Sequence, residues 1–213
     1  MTLRLAGSTS GYTEIDAPAV AGNNTIQLPA SNGSAYQVLR NGATAGTTEF
    51  ADKIVSGTAQ ASTSGTSIDF TGIPAWVKRI TVMFNGVSTN GGGYLQIQLG
   101  TAAGIDATVS SYLGAESTSV GLTQLQNSYG FIIKSNMATS SFCHGAVTLL
   151  LVNAATNTWA QVGTIALSNT TQVGSSAGSK VLSGTLDRLR IIGSTTGTPT
   201  DTFDAGTINI LYE

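Results

Sequence analysis

A thiol beside an imidazole is the one pairing in this chain that suggests nucleophilic catalysis. Cys143 and His144 are its single Cys and single His, and they are neighbours. Adjacent strand residues point to opposite faces, so the two form no nucleophile–base pair without an unusual bulge. Cys143 is expected to be a small core residue, and His144 to stand at a strand end or a subunit interface. Zinc asks for several converging His, Cys or carboxylate ligands, and the sequence offers neither the spacing nor the supply. Glycoside hydrolysis needs two carboxylates held about 5 to 9.5 Å apart. The acids here are scattered, and the closest C-terminal pair, Asp201 and Asp204, falls in a turn where Asp commonly bonds local backbone. Gly91-Gly92-Gly93 lacks the following helix and the Lys-Ser/Thr pair of a phosphate cradle and is expected to be a hairpin tip. Such a tip exposes Asn90 and Tyr94. With Tyr112, preceded by Ser110 and Ser111, they offer aromatic faces and amide groups suited to stacking on and hydrogen-bonding to sugars. The plainer alternative is an ordinary polar loop. Trp76 and Trp159 each adjoin a strand with apolar neighbours and are expected in the core or an interface. No catalytic residue, cofactor or metal is expected.

The scaffold that would position these residues is poor in charge. Of 213 residues only 9% are charged and 41% are hydrophobic, with 26 Gly, and Ser and Thr fill most of the polar positions. That composition is unsuited to acid–base chemistry, metal ligation or polyanion binding and well suited to strands and turns, so the chain is expected not to be an enzyme. The net charge of -2 leaves no Lys/Arg stripe to neutralise phosphates or anionic lipid, which argues against nucleic-acid and membrane partners. The start lacks a signal-peptide core, and no segment approaches about 20 apolar residues, so a soluble, unprocessed chain is expected. One Cys permits no intrachain disulfide and is compatible with a reducing site of synthesis. The sequon Asn169-Thr170-Thr171 reads as a chance product of the composition.

Two regions follow from the patterning. In residues 1–53 the alternating stretches at 12–16 and 25–28 are short and broken by Pro18, Pro29 or Asn/Gly clusters. Strands this small bury no core of their own, so the segment is expected to be ordered by docking on the second region or, preferably, by wrapping around copies of itself. Residues 54–213 read as a compact β domain. Residues 79–84 and 94–99 alternate well and are expected to pair as a long-looped hairpin, with Asn85-Gly86 and the Gly run supplying the turn. Ile80, Val82 and Phe84 would then share a core face with Leu95, Ile97 and Leu99. Further strands are expected at 66–70, 129–134, 146–152, 158–167, 184–192 and 207–212, spaced as in an antiparallel sandwich of jelly-roll type. The apolar run 147–152 suggests a strand covered on both faces. The best helical competitor is the short stretch 120–126.

The first region also carries a family resemblance. GYTEIDAPA at 11–19, NNTIQLP at 23–29 and NGSAYQVL at 32–39 resemble a segment recurrent in tail-fibre proteins of tailed bacteriophages. The second region resembles fibre and virion-tip proteins through FTGIPAWVKRIT at 70–81 and DAGTINILYE at 204–213. The resemblance implies a homotrimer: an all-β chain whose extended, intertwined N-terminal segment, residues 1–53, attaches it to other tail or capsid proteins of the virion. A jelly-roll-like β-sandwich head, residues 54–213, would present loops to a receptor. Asn90, Tyr94 and Tyr112 become candidate contacts to a host cell-surface glycan, with weak contacts multiplied by valency. The alternative within the resemblance is a capsid head fibre or decoration protein. The expected location is the virion, after synthesis in the host cytoplasm. A depolymerising tailspike is disfavoured by the absence of a long parallel β-helix pattern.

Overall fold

The computed structural model describes residues 3–18, 22–34, 37–118, 121–123, 129–135, 137–170 and 172–213, and among these the chain is all-β with no helix. It separates into two compact units, Met1–Lys53 and Ile54–Glu213. The first is built on two antiparallel hairpins, β1 (Leu3–Ala6) with β2 (Tyr12–Ile15) and β3 (Val38–Asn41) with β4 (Thr48–Ala51). The strand expected at 25–28 is reduced to one parallel bridge from Gln27 to Thr47, because Thr48 closes on the Gln27 carbonyl instead of extending a ladder. No described side chain of this unit is buried. Leu3, Leu5, Tyr12, Ile15, Ile26, Leu28 and Leu39 are each more than half exposed.

The second unit contains β5 (Val55–Ser56), β6 (Gln60–Ala61), β7 (Ser67–Phe70), β8 (Arg79–Thr89), β9 (Tyr94–Thr101), β10 (Gly104–Ile105), β11 (Tyr112–Thr118), β12 (Gly121–Thr123), β13 (Phe131–Lys134), β14 (Cys143–Asn153), β15 (Thr158–Leu167), β16 (Val173–Val181), β17 (Arg188–Ser194) and β18 (Phe203–Tyr212). They form a nine-stranded sheet in the order β12-β11-β16-β15-β14-β8-β18-β5, with β6 also on β18. A five-stranded sheet has the order β10-β9-β17-β7, with β13 also on β9. Every later strand expected from the sequence has a counterpart here. Of the helical candidate at 120–126, Gly121–Thr123 is strand β12 and the remainder lies outside the described residues.

Alternate residues of both sheets meet in one buried cluster, as in a β-sandwich. The larger sheet contributes Ile80, Val82, Phe84, Val147, Leu149, Ile165, Ile208 and Ile210, and the smaller contributes Ile68, Leu95, Ile97, Leu99, Leu189 and Ile191. The hairpin expected between residues 79–84 and 94–99 is not formed. β8 lies between β14 and β18 in the larger sheet, while β9 pairs with β17 in the smaller, so the two apolar faces meet across the core instead of along a ladder. Asn85-Gly86 is no turn either. The registers of β8 against β14 and β18 both slip there, and Gly86 (φ 66) lies opposite Gly206 (φ 96), whose added Cβ would strike the Gly86 carbonyl. This β-bulge lets β8 continue to Thr89.

The other face of the larger sheet is open. On β14, Val147 and Leu149 are buried while Leu150 and Val152 are exposed, so the apolar run is covered on one face within the chain, not both. Across the ladder Thr148 stands opposite Val162, Val162 opposite Ala177, and Ala177 opposite Ala115. Leu113, Val162, Val173 and Val181 are likewise exposed. Small, β-branched and aliphatic side chains make up most of this surface, and its charge is confined to one end, where Arg79 stands opposite Leu150 and pairs with Glu213.

Candidate functional site

Cys143 and His144 open β14 and take opposite faces of it. Cys143 is fully buried, its Sγ 3.3 Å from Met137 Sδ, and burial pushes its thiol up to about 12 against a smaller downward pull from Lys134. His144 turns to the bulge, where the Gly86 N–H donates to Nδ1 at 3.3 Å. The freed amide of the bulge is thereby satisfied, and the imidazole has a structural partner. No group of three or more His, Cys, Asp or Glu among the described residues is arranged to hold a metal.

The segment expected to be a hairpin tip is the crossover from β8 in one sheet to β9 in the other, and it is clasped by the residues before β18. The Gly93 N–H donates to Asp201 Oδ2 at 2.8 Å, and a Cβ at Gly91 or Gly93 would collide with that carboxylate. Asn90 is exposed, yet its Oδ1 accepts the Thr202 N–H at 2.9 Å and its own N–H donates to the Thr202 carbonyl. Asp201 is therefore a loop fastener, and Asp204 is exposed at the start of β18. Tyr94 begins β9 opposite Ser194 and is half-buried.

Tyr112 is a correction to the sequence reading. It is 1% exposed, too deeply placed to offer an aromatic face to a ligand. Its hydroxyl accepts the Leu99 N–H at 2.7 Å and donates to the Asp106 carbonyl at 2.7 Å, while its ring meets Phe131 edge-on at 5.0 Å. Burial raises its phenol well above the ordinary range, opposed by the bond from Leu99 and helped by the nearby Asp106 charge. Lys180 Nζ lies 4.9 Å over the ring and 2.5 Å from Asp106 Oδ2. Burial tends to raise the Asp106 carboxyl, but its bonds from Lys180 and Thr108 outweigh this and hold it below its ordinary value. Since Leu99 lies five residues, about 17 Å, along β9 from Tyr94, Tyr112 is not gathered with Asn90 and Tyr94 into one site.

A buried ion pair went unread in the sequence. Lys134 and Glu116 both have 0% side-chain exposure, with Nζ 3.3 Å from Oε1. Lys134 Nζ also donates to the Ser135 carbonyl at 2.8 Å, and the Ser135 N–H donates to Glu116 Oε2 at 2.8 Å. With all these bonds internal, the pair is a structural device.

The second feature missed by sequence reasoning is a polar cleft of about 330 Å³ between the β5–β6 segment and the loop after β7. Ser56, Thr58, Gln60, Asp69, Thr71 and Tyr212 line it among others. Gln60 Nε2 donates to the Asp69 carbonyl at 2.6 Å. The Asp69 carboxylate takes two parallel bonds of 2.7 Å from Arg190, its partner in the β7–β17 register, and these bonds raise the Arg190 guanidinium above its ordinary value. Beside the cleft, Trp76 is 46% exposed with its ring 5.8 Å from that of Tyr212, tilted by 50°. Of the two places expected for Trp76 and Trp159, core or interface, Trp159 takes the core, whereas Trp76 lies outside it. The available signal was that Trp76 follows Pro74 in the connection between β7 and β8, outside any strand.

No family model, curated protein or solved structure matches this chain.

Proposed function

We propose that this chain is the structural subunit of a homotrimeric bacteriophage tail fibre, a non-enzymatic virion component. Its residues 1–53 would intertwine and attach to other tail or capsid proteins, and its second unit would be a jelly-roll-like head adhering to the host surface. The observation that carries the reading is the state of the first unit. It has two hairpins, no buried side chain among those described, and a run of aliphatic and aromatic residues facing outward. A two-stranded hairpin is marginal in water, so copies of the same segment are what would cover it, in accord with the fibre-like stretches at 11–19, 23–29 and 32–39. The open, charge-poor face of the larger sheet supplies a further surface for packing copies together. The jelly-roll reading is supported by the path of the chain. β7, β9, β13 and β17 lie in the smaller sheet, and each is followed by a strand of the larger one or a short β10 link to it.

Light scattering of the purified protein tests the assembly, with a trimer expected at micromolar concentration. A monomer refutes the fibre reading. Labelling of intact particles tests the location, and label confined to the capsid would replace the tail fibre by a head-fibre or decoration role.

A further inference from the structure

We infer that the cleft beside Trp76 and Tyr212 is a binding site for the end of a neutral saccharide. The inference rests on the adhesin reading above and gives it a place and a ligand class. Three features point to this chemistry. The first is the aromatic pair: Tyr212 lines the cleft, and Trp76 beside it leaves close to half its surface in water although a Trp gains most by burial. An indole exposed next to a polar cleft offers a flat apolar face to the C–H side of a sugar ring. The second is the lining. Ser56, Thr58 and Thr71 bring hydroxyls and Gln60 an amide, a mixture of donors and acceptors that matches a polyhydroxylated ligand better than an apolar one.

The third is charge, which selects among saccharides. The Asp69 carboxylate is neutralised by a bidentate bond to Arg190, and at the neighbouring chain end Arg79 is likewise paired with Glu213 at 2.5 Å. Neither guanidinium is left to hold a sialate, uronate or phosphate. At about 330 Å³ the cleft lies at the small end of the range for ligand pockets, about 300–1,000 Å³. It therefore suits a terminal sugar or a short end, with the rest of the glycan in solvent. Weak binding at such a site becomes firm only when several copies engage one surface.

Tryptophan fluorescence of the full chain provides the readout, because Trp76 is exposed and Trp159, the other Trp, is buried. The probes are neutral oligosaccharides of glucose, galactose and mannose, with an oligo-uronate as the acidic comparison. Adherence to cells of a strain that supports the phage is measured in parallel. A neutral oligosaccharide is expected to shift the emission of the wild type and of Trp159→Phe. Thr71→Arg, which fills the cleft from an exposed position, is expected to weaken both readouts at least tenfold, and Trp76→Ala, which removes the reporter itself, to weaken adherence as much, while the melting temperature is kept. Should Trp76→Ala not fold, Thr71→Arg decides. Undiminished cell adherence by the folded variants overturns the site and leaves the adhesin reading standing, as does binding of the oligo-uronate alone. A wild type that binds neither saccharide nor cells overturns both.

Discussion

Neutralising Glu116 while leaving Lys134 in place should strongly destabilise the second unit. The two charges lie 3.3 Å apart, and at an effective dielectric of about 20 their attraction amounts to about 5 kcal/mol, most of it spent against desolvation. Glu116→Gln removes the attraction but not the desolvated ammonium, which keeps only the Ser135 carbonyl. Breaking a buried pair in this way costs about 3–5 kcal/mol. For a domain of this size that is a fall of about 6–20 °C in Tm, at about 2–4 °C per kcal/mol. Combining Glu116→Gln with Lys134→Met should return most of the loss. The Gln oxygen still accepts the Ser135 N–H, its amide can donate to the Ser135 carbonyl that Lys134 releases, and the Met fills the stem's volume without a charge. Denaturant titration at fixed protomer concentration, which any oligomer requires, measures each variant. A Glu116→Gln protein within about 1 kcal/mol of wild type, or a double variant no better than the single, would refute the account of this pair.

Three further outcomes are expected. Phe84→Ala should cost about 3–5 kcal/mol in the same titration, because Phe84 is 4% exposed and faces the shared core. Tyr112→Phe should lose about 1–3 kcal/mol by leaving the Leu99 N–H and Asp106 carbonyl unpaired, yet leave cell adherence unchanged; a selective loss of adherence would contradict its burial. Asp106 has its carboxyl held below the ordinary value, so its stabilising contribution is complete above about pH 4 and is lost as the pH falls through the lowered folded value. Melting temperature plotted against pH should accordingly drop on the acid side, and Asp106→Asn should flatten that drop.

Alternation made the strands legible because each side of a sandwich buries every second residue, and the positions of β7, β14, β15 and β18 follow from it. Partnership was not legible. Alternation marks which residues of β8 and β9 are apolar but is equally satisfied by two strands facing each other across a core. The Asn-Gly signal at 85–86 was sound as to backbone, since Gly86 has positive φ, and misleading as to context, since a bulge uses the same conformation as a turn. In β11 the pattern misdirects outright. Leu113 and Ala115 are its apolar alternate positions, yet Tyr112 and Glu116 are the buried ones. Tyr112 and Glu116 can face inward only because Leu99, Asp106, Lys134 and Ser135, none of them in β11, meet their polar atoms. The cleft beside Trp76 required residues 56–60, 69–73 and 210–212 to converge, and no local pattern encodes that.

The outer face of the larger sheet, with its Leu150, Val152, Val162 and Val181 among Ala, Ser and Thr, has a consequence for temperature and salt. A contact made by such a surface has little Coulombic component for dissolved ions to screen, so raising the ionic strength with sodium chloride should not loosen it. Its strength comes instead from water released by apolar groups, a driving force that fades on cooling and is reinforced by excluded salts such as sulfate. Association through this face would accordingly loosen in the cold, the opposite of what an interface of ion pairs and hydrogen bonds would do.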